Sequence, residues 1–466
     1  MCKTIFRTFA RSWGRRKAEQ FQTFQPFKSF KLRLELAEFP VKQIRLGSRF
    51  KYESEILDVD EGELIALVLE DTRITDATLA VAVPGEKTRI TGIRDMVEPR
   101  FKVAGSGQVF PGVLGAVENV GDGRTHRLSG MTVIAAAEYE GTIRAGTTVQ
   151  RSAILDMSGP GAEISRFSSY LHLVLSFKIA PGLGELDAHS AVQLAEYKVA
   201  QRLGQVTAKL SPVEIATYDL SKKDPALANV MLVQGCITDP QHVHSGVGYY
   251  GLSLRNSMST FVHPNELFDG AVTVDTTRSG RGYYPTTWDW QNHPLVLELY
   301  AAHGKSLNFG GVVLQRIRFE TSHGKEVGAQ NAARLAKAMG ADGALVTWIG
   351  GGNAFVDVML TVRACEQNGI KTTLVTYENG GKEGKDSPVL FYIAEANAIV
   401  STGSLDKVVE LPAMDKVIGP YEQIKIFPFP GAARVPARGA LSLEARDVMM
   451  GGADIWGQGE FRCAEY

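Results

Sequence analysis

The stretch from Ala344 to Val375 has the sequence ALVTWIGGGNAFVDVMLTVRACEQNGIKTTLV, and it decides the class of the fold. Its first residues, Ala344–Trp348, are an apolar run of strand length, and Lys371–Val375 is a second. Between them, Asn353–Glu366 carries apolar residues at helical spacing. A strand, a helix and a second strand joined by short loops predict a βαβ unit, whose two strands lie parallel in one sheet.

The same alternation of strand and helix extends in both directions from this unit. Other apolar runs predict buried strands at Val230–Val233, Gly311–Leu314 and Ala398–Val400, and Glu326–Met339 has helical periodicity. We therefore predict a doubly wound, mainly parallel α/β domain over residues 226–466. In such sheets ligands bind beyond the carboxyl ends of the strands. The segments expected at those ends are Trp348–Asn353, Thr376–Gly381 and Ser401–Ser404.

The first half of the chain shows the alternation typical of strands instead. Leu32, Leu34 and Leu36 alternate with charged residues, and further short apolar runs are separated by glycine-rich turns. The first long amphipathic helix is expected at Asp187–Gln205. These patterns predict a mixed, β-rich domain over residues 31–225, so the chain as a whole belongs to the α/β class.

Residues 1–30 differ from the rest, because they carry seven Lys or Arg residues against a single acid, Glu19. Three interpretations compete for this segment. It is a disordered leader produced from an upstream start codon, a docking helix, or an organelle or membrane address. We leave this basic segment out of the fold prediction.

Composition excludes several classes of partner. Lys and Arg number 50 against 51 Asp and Glu, so the chain lacks the positive field that nucleic acid or an anionic membrane requires. The four cysteines are far apart and form no CxxC, which indicates neither a disulfide framework nor a zinc site. No apolar run approaches the roughly 20 residues that cross a bilayer. We expect a cytoplasmic protein without a nucleic-acid, membrane or metal partner.

The glycines Gly350, Gly351 and Gly352 let the backbone approach a ligand closely. Asn353 can cap the following helix, whose first amide groups favour an anion such as a carboxylate or phosphate. The run does not match the dinucleotide or P-loop fingerprints, so it does not indicate a nucleotide. The alternative interpretation is a tight turn and a cap with no ligand.

Histidines offer further candidates. His242 and His244 form an HxH near Asp239, which would place two rings on one face of a strand and within reach of a metal ion, although no second cluster completes such a site. His303 and His126 are better candidates for polar residues of a ligand pocket. The alternative for each is a structural or solvent-facing ring.

A set of ordered motifs says more than any single residue. The chain from about residue 31 to the C-terminus resembles the proprotein subunit of component B of glycine, sarcosine and betaine reductases. The motifs that carry this resemblance are Thr88–Thr91, Val97–Arg100, Phe110–Val113, Asp156–Gly161, His303–Phe309 and Met414–Gly419.

The resemblance implies a definite chemistry. In this family a thiol or hydroxyl attacks the preceding peptide carbonyl, the ester or thioester eliminates, and hydrolysis leaves an N-terminal pyruvoyl group. That ketone forms an imine with a substrate amine, which opens the α-carbon to attack by a selenolate. The implied partners are a second component-B subunit bearing a reactive cysteine or selenocysteine, a small selenoprotein or thiol protein, and a small carboxylated substrate.

The chain departs from the family pattern at the processed cysteine. Counting from the matching segments Phe268–Val272 and Thr286–Trp288 places that position at Thr277 or Arg278, so the cysteine is missing. Thr277 would leave a bulkier oxobutyryl group, whereas Ser279 can undergo the same acyl shift and elimination. A pyruvoyl cofactor is therefore expected only if the chain is cut at Ser279.

The charged residues around that position suggest another use for the segment. Arg278 could hold a substrate carboxylate in a bidentate pair, as an alternative to an exposed charged loop.

Three functions remain open from the sequence. The leading hypothesis is a component-B-type subunit of a reductase complex, which acts with a thiol- or selenol-bearing partner on a small carboxylated amine. The second is an unprocessed, non-catalytic subunit that serves as a scaffold or holds the substrate. The third is a stand-alone α/β enzyme that binds a phosphorylated ligand at Gly350–Asn353.

Overall fold

A computed structural model describes residues 32–138, 153–238, 246–274, 284–318, 320–381, 385–404, 408–425, 434–444, 449–453 and 455–457. The described strands are β1 (Arg33–Pro40), β2 (Gln43–Gly47), β3 (Lys51–Glu53), β4 (Ile56–Asp60), β5 (Ile74–Ala82), β6 (Thr88–Val97), β7 (Arg100–Ala104), β8 (Gly123–Ser129), β9 (Met131–Glu138), β10 (Ala153–Asp156), β11 (Leu171–Ile179), β12 (Glu214–Asp219), β13 (Asn229–Ile237), β14 (Val247–Tyr249), β15 (Leu252–Ser253), β16 (Thr260–Val262), β17 (Val272–Val274), β18 (Asn308–Ile317), β19 (Gly343–Ile349), β20 (Lys371–Glu378), β21 (Ile399–Ser404), β22 (Val408–Leu411), β23 (Lys416–Ile418), β24 (Gln423–Lys425), β25 (Arg434–Pro436) and β26 (Leu441–Glu444).

The α-helices of the described residues are fewer and lie mainly in the second half. They are α1 (Glu61–Leu69), α2 (Pro160–Ile164), α3 (Glu185–Gln205), α4 (Pro264–Phe268), α5 (Thr287–Gln291), α6 (Pro294–Ala302), α7 (Ser322–Ala338) and α8 (Ala354–Gln367). Short 3-10 turns occur at Arg166–Ser169 and Leu254–Asn256. None of the helices described is long and apolar enough to cross a membrane.

The second half forms a doubly wound sheet, as the sequence predicts. Its strand order is β16-β18-β13-β19-β20-β21, and all neighbours are parallel except the β16–β18 pair. Helices cover both faces. Gln315 of β18 bonds to Thr361 of α8 on one face, while Gln234 of β13 meets His293, at the start of α6, on the other. The α/β class is confirmed.

Chain order explains where this sheet can bind. The second parallel strand, β18, lies on one side of the first, β13, and the later strands β19, β20 and β21 lie on the other side. The direction of winding therefore reverses between β13 and β19, and in doubly wound folds such a reversal opens a crevice at the carboxyl edge. Gly350–Asn353 follows β19 at this reversal.

The predicted helices and strands agree with those of the structure apart from their ends. The helix expected at Asp187–Gln205 is α3, and the βαβ unit around Ala344 is β19, α8 and β20. Ser401–Ser404 lies at the carboxyl end of a parallel strand, as expected, and forms the last residues of β21, where Ser401 pairs with Thr376 and Ser404 with Glu378.

The first half contains two sheets, and the chain bends as it passes from a strand of one sheet into a strand of the other. One has the order β12-β1-β8-β7 and the other β10-β6-β9-β11-β5. β8 continues into β9 through Gly130, whose φ is +79° and whose added Cβ would lie 2.9 Å from the carbonyl oxygen of Val41. Glycine at this position therefore lets one strand pass from the first sheet to the second. Smaller two- and three-stranded sheets complete the fold.

The last part of the chain contacts the β-rich first half. β23 pairs in parallel with β6, and Met450 donates its backbone N–H to the carbonyl oxygen of Ile154 in β10. β23 and Met450 thus pack on the β-rich sheets, whereas Ala453, Ile455 and Trp456 pack in the core of the α/β sheet. The domain limits 31–225 and 226–466 stay a prediction, and the basic segment 1–30 lies outside the described residues.

A fully buried ion pair stabilises the contact between the C-terminal segment and the β-rich sheets. Arg89 donates to both carboxylate oxygens of Asp156, at 2.6 and 2.8 Å, and both side chains have 0% exposure. The same guanidinium donates to the carbonyl oxygens of Pro412, Ala437 and Gly439. One side chain thus connects the Thr88–Thr91 and Asp156–Gly161 motifs with the C-terminal segment.

Replacing Arg89 with Met should destabilise the protein by about 3–5 kcal/mol, because Asp156 then stays buried without its partner. The midpoint and slope of urea unfolding measure this change. The matched control is Lys178→Met, which breaks an exposed pair with Asp76 and should leave the midpoint unchanged. Equal midpoints for Arg89→Met and Lys178→Met would contradict the role given to the buried pair.

Candidate functional site

The sequence places the candidate processing residues Thr277, Arg278 and Ser279 between β17 and α5. All three lie outside the described residues, since 275–283 is not among them. Their roles therefore stay predictions. What the structure describes is how the chain is held on either side of this segment, up to Val274 and again from Tyr284.

The end of β17 is held by hydrogen bonds from both directions. Val274 donates its backbone N–H to Thr287 Oγ1 at 3.1 Å, and its carbonyl oxygen accepts from Gln193 Nε2 at 2.6 Å. Gln193 comes from α3, and Thr287 is the first residue of α5. The residue before the segment is thus bonded directly to a residue that follows it.

Asp95 anchors this arrangement from β6. Its Oδ1 accepts from the backbone N–H groups of Met96 and Thr287, both at 2.8 Å. Its Oδ2 accepts from Thr287 Oγ1 at 2.5 Å and from the Tyr197 hydroxyl at 3.3 Å. Four donors on one carboxylate fix the position of Thr287, and through Thr287 that of Val274.

Burial raises the pKa of Asp95 to about 7, even though its four donors act in the opposite direction. Glu196 lies nearby on α3 and accepts a hydrogen bond from the backbone N–H of Ala135. Burial raises the pKa of Glu196, and the negative charge of Asp95 raises it further. Two buried carboxyl groups that repel one another therefore lie close together in the core beside Thr287, and burial raises the pKa of each.

Arg100 fixes the wider surroundings of the segment. Its guanidinium is fully buried and donates to Glu98 Oε2, to the carbonyl oxygens of Phe268 and Gln291, and to Asn292 Oδ1. Phe268 precedes residues 275–283, whereas Gln291 and Asn292 follow them. A single buried cation therefore joins the two parts of the chain that the segment connects.

The start of α5 is held by a capping box. Thr286 and Asp289 cap one another through side chain and backbone, and Arg166 donates to Asp289 Oδ1 at 2.6 and 3.0 Å. The next residue after Thr287, Trp288, packs edge-on against Phe167 and Tyr170. Thr287 of α5 thus contacts Asp95, whereas Trp288 lines a second region, which is an open groove.

A small cavity of about 300 Å³ lies beside the end of β17. Thr273 and Val274 line it from the strand, and His189, Ser190 and Gln193 line it from α3. It is polar, and it lies next to the last described residue before the segment.

A much larger groove, of about 1060 Å³, lies between the β-rich sheets and the face of the α/β sheet that carries Val375 and Val400. Two segments that match the family contribute to its wall, since Glu98 belongs to Val97–Arg100 and Trp288 to Thr286–Trp288. Its charged lining residues are Glu38, Lys42, Glu98, Arg127, Arg166 and Glu298, and its aromatic ones are Tyr170, Trp288 and Trp456.

The positively charged side chains of this groove differ in how closely they are paired with acidic or polar groups. Arg166 is neutralised by Asp289, and Lys42 pairs with Glu55 at 2.6 Å. Arg127 is held only loosely, at 3.7 Å from Glu38 and 3.5 Å from Asn292 Oδ1. The negative charge of Glu98 is the main cause that raises the pKa of Arg127. The Arg127 guanidinium is therefore positively charged on the groove wall.

The glycine loop has a different geometry from the one expected. Asn353 has helical backbone angles, and its side chain makes no capping bond, so that prediction was wrong. The first N–H groups of α8 bond within the turn, because Phe355 donates to the carbonyl oxygen of Gly352 and Val356 to that of Asn353. Gly350 packs against the Trp348 ring, and its carbonyl oxygen accepts from the Tyr377 hydroxyl. These bonds leave fewer amides for an anion.

His303 and the glycine loop do not come together. His303 precedes the amino end of β18 and accepts from the backbone N–H of Phe309, whereas Gly350–Asn353 follows the carboxyl end of β19. Because β18 and β19 both run parallel to β13, the two lie at opposite edges of the sheet. As substrate-binding residues, His303, Gly350, Gly351, Gly352 and Asn353 stay predictions, but they cannot share one small ligand.

The other candidate histidines fall outside this region. His126 is buried against Phe39 and bonds through Nδ1 to Thr207, and it lines neither of the two cavities above. Burial lowers its pKa, as expected of a neutral structural ring. His242 and His244 lie outside the described residues.

Neither described cysteine suits nucleophilic chemistry. Cys236 and Cys365 are buried, and burial raises the pKa of both thiols, that of Cys365 to about 12. Cys2 and Cys463 are outside the described residues. Within the part of the chain that the structure describes, no group of three or more metal-ligating side chains occurs.

The structure does not test the implied pyruvoyl group, because residues 275–283 lie outside the described residues. Its cysteine precursor is absent from 275–283, and the described thiols lie in the cores, as Cys236 in β13 and Cys365 in α8. Formation from Ser279 stays a prediction.

Fold and site define a doubly wound α/β protein with a charged groove between its two halves. The family model of glycine/sarcosine/betaine reductase component B subunits matches residues 32–461, and the chain belongs to this family.

Three relatives come from Peptoclostridium acidaminophilum. The sarcosine reductase complex component B subunit alpha is 33% identical over 404 residues, covering 84% of this chain and 91% of the relative. The glycine reductase complex component B subunits alpha and beta are 32% identical, covering 90% and 96%. The betaine reductase complex component B subunit alpha is 32% identical, covering 84% and 89%.

Sequence reasoning did not find most of the residues described above. Asp95, Glu196 and Tyr197 lie in a strand and a helix where they resemble ordinary polar residues, and Arg127 and Tyr170 belong to no recognised motif. A signal was present for Glu98 and Arg100, within the Val97–Arg100 motif, and for Thr287 and Trp288, within the matching segment Thr286–Trp288. The motif pointed to their importance but not to their contacts.

Asp95→Asn should flatten the dependence of stability on pH. The folded pKa of Asp95 is raised from 3.8 to about 7, so between these values the folded state holds a proton that the unfolded state has lost. Stability therefore falls as pH rises through this window, by at most about 1.4 kcal/mol per pH unit for this group. Urea unfolding at intervals from pH 4.5 to 6.5 measures the slope.

The control for this experiment is Asp76→Asn, an exposed carboxyl group whose removal should keep the wild-type slope between pH 5 and 6.5. Some slope should remain in Asp95→Asn, because the pKa of Glu196 is raised as well. Identical slopes in Asp95→Asn and the wild type would show that Asp95 does not carry the raised pKa.

Proposed function

We propose that this chain is the substrate-holding, component-B-type subunit of a reductase complex that cleaves a carbon–nitrogen bond of a small carboxylated amine. The family supports a multi-subunit reductase. The observation that carries the proposal is that the Val97–Arg100 motif and the residues after α5 converge on one groove. Motifs that are far apart in the chain thus build one place where a ligand can lie.

The charges of the groove suit a molecule that carries both signs. Glu38, Glu98 and Glu298 face it together with Lys42, Arg127 and Arg166. A loosely held guanidinium can take a carboxylate in a bidentate pair. The acids can lie near an ammonium, and an amino acid or its methylated derivative carries one group of each kind.

The reactive thiol or selenol belongs to a partner in this proposal. The described cysteines are buried with raised pKa values, so neither supplies a thiolate. The groove is several times larger than a small amino acid and is open, which leaves room for a side chain of the partner. The proposed partners are a second component-B subunit with a cysteine or selenocysteine, and a small selenoprotein or thiol protein that carries the product onward.

For nucleophilic substitution at the α-carbon of the substrate, the main contribution of this chain is to hold the substrate in position. The nucleophile forms the bond from sulfur or selenium to carbon, the carbon–nitrogen bond breaks, and the amine leaves with the electron pair. Fixing the carboxylate orients the α-carbon toward the nucleophile. A thiol of the small partner protein then reduces the resulting thioether or selenoether: the bond from sulfur or selenium to carbon breaks, the carbon takes a proton, and the thiol is oxidised as it forms a disulfide or selenenyl sulfide.

The stand-alone phosphate-binding enzyme has less support than this complex. The amides that a phosphate would need at α8 bond within the turn, as described above. A scaffold without substrate is the remaining alternative, and turnover separates it from the proposal.

The full-length chain should copurify with a thiol- or selenol-bearing partner and release amine from a carboxylated substrate only in its presence. Amine release is measured with a thiol reductant, with each component alone and with both together. Activity of this chain alone would overturn the proposal in favour of a stand-alone enzyme. Association without turnover of glycine, sarcosine or betaine would favour the scaffold.

The active complex should contain this chain uncut between residues 274 and 284, with turnover insensitive to a hydrazine. Intact-mass measurement detects the cut, and Ser279→Ala, which removes the serine route, should keep full activity. A fragment that begins at position 279, together with hydrazine inhibition and loss of activity in Ser279→Ala, would restore the pyruvoyl mechanism.

A further inference from the structure

The two walls of the groove differ, and the difference indicates where the partner of the proposed complex enters. The wall formed by the β-rich half carries most of the charged side chains, among them Arg127. The wall formed by the α/β half is mainly apolar, with Leu297 from α6 and with Val375 and Val400 from the sheet. The inference drawn from these walls rests on the function proposed above, because it locates the partner of that same complex.

The face of the α/β sheet is incompletely covered at its last two strands. Val375 of β20 and Val400 of β21 are paired in register, so they lie side by side. The register of β13, β19 and β20 places them on the same face as Gln234, which meets His293 at the start of α6. Parallel sheets are normally covered on both faces. The covering layer is interrupted at these two valines, because both line the open groove.

Helix α6 presents a further apolar side chain to the groove. It buries Val296 and Leu299, at 0% and 3% exposure, in the core of the α/β half. Leu297 lies on a different side of the helix, because residues one and two positions apart do not share a face. It is half-buried and lines the groove. Glu298 comes next, is exposed on the same wall, and forms none of the ion pairs that the described residues make.

The reach of a cysteine or selenocysteine side chain decides how far the partner must enter. Its reactive atom lies roughly 3 Å from its own α-carbon, and it has to come to about 3–3.5 Å from the substrate carbon that it attacks. The partner's main chain must therefore lie inside the groove and not only at its mouth. The proposed function assigns the substrate carboxylate to Arg127 on the charged wall, so the apolar wall across the groove remains for the partner.

We propose that the segment of the partner subunit that carries the thiol or selenol binds to a docking wall, which consists of Leu297, Glu298, Val375 and Val400. Apolar side chains of that segment pack on Leu297 and on the two valines, where they complete the layer over the sheet. A lysine or arginine of the same segment pairs with Glu298, since complementary charges select a partner and fix its register. The partner that fits is thus an apolar segment with a basic residue.

Leu297→Glu tests the apolar part of the docking wall. The affinity of the full-length chain for the purified partner subunit, measured by calorimetry, should fall at least about tenfold, because a charge then faces apolar side chains. The matched control is Val327→Glu, since Val327 is 48% exposed on α7 and does not line the groove. This control should keep the wild-type affinity. Wild-type affinity in Leu297→Glu would overturn the proposal.

Glu298→Lys tests the charged part of the docking wall. Affinity for the partner subunit should fall at least about tenfold at low salt, and the difference from the wild type should shrink as salt screens the repulsion. Glu326→Lys makes the same charge change at an exposed acid of α7 and should leave the affinity unchanged. Because both positions are exposed, both variants should unfold at the wild-type urea midpoint. Equal losses of affinity in the two variants would overturn the pairing with Glu298.

Steady-state turnover separates the two walls. In Leu297→Glu the concentration of partner subunit that gives the half-maximal rate should rise at least about tenfold, whereas the KM for the amine should stay within about threefold of the wild type. Arg127→Gln should show the reverse, with the KM for the amine raised about tenfold and the dependence on the partner unchanged. A rise in the KM for the amine in Leu297→Glu as large as that in Arg127→Gln would place the substrate on this wall and overturn the proposal.

Failure of this inference can be told apart from failure of the proposed function. If the complex releases amine and both Leu297→Glu and Glu298→Lys bind the partner subunit as the wild type does, the function stands and the docking wall is wrong. If both variants lose affinity for the partner but the complex releases no amine, the docking wall stands and the reductase function is wrong. If the wild-type chain binds no thiol- or selenol-bearing subunit, both are wrong.

Discussion

The buried guanidinium of Arg100 is the interaction on which the rest of the site depends. It has 0% exposure, and it donates to Glu98, to the carbonyl oxygens of Phe268 and Gln291, and to Asn292. A buried cation is costly unless every donor is matched, so these groups have little freedom to move apart. They come from the β-rich half, from the chain before residues 275–283, and from the chain after them. One charge therefore sets how the two halves meet.

The other buried charges extend this constraint in two directions. Arg89 and Asp156 attach the C-terminal segment to the β-rich sheets. Asp95 holds Thr287 and thereby Val274, so that the two ends of the chain beside the candidate processing segment are bonded to one another. The groove is a consequence of these contacts, because Glu98 and Asn292 are held by Arg100 at its wall. The family motifs accordingly contain the residues that join parts of the chain as well as those that face a ligand.

The chemistry of the site follows from which groups are buried and which are engaged. Both described thiols lie in cores where burial raises their pKa, and the family's processed cysteine has no counterpart in 275–283. A loosely held arginine, a carboxylate and two aromatic rings remain in the groove. The proposed function assigns these groups to binding and orienting a ligand, and none of them transfers electrons. These facts support the proposal that this subunit holds the substrate and that a partner supplies the reactive thiol or selenol.

The sequence by itself determined the α/β class, the parallel strands around Ala344, helix α3 and the family, because apolar periodicity and motif order depend on residues close together in the chain. It also determined that the family's cysteine is missing. It did not predict the roles of Asp95, Arg127 or Tyr170, since each is ordinary in its own strand or turn. It misplaced Asn353 as a cap, and it did not show that His303 and the glycine loop lie at opposite edges of the sheet. Only the tertiary structure decided those points, because the direction of parallel strands sets which edge a residue occupies, and buried charges select partners hundreds of residues away.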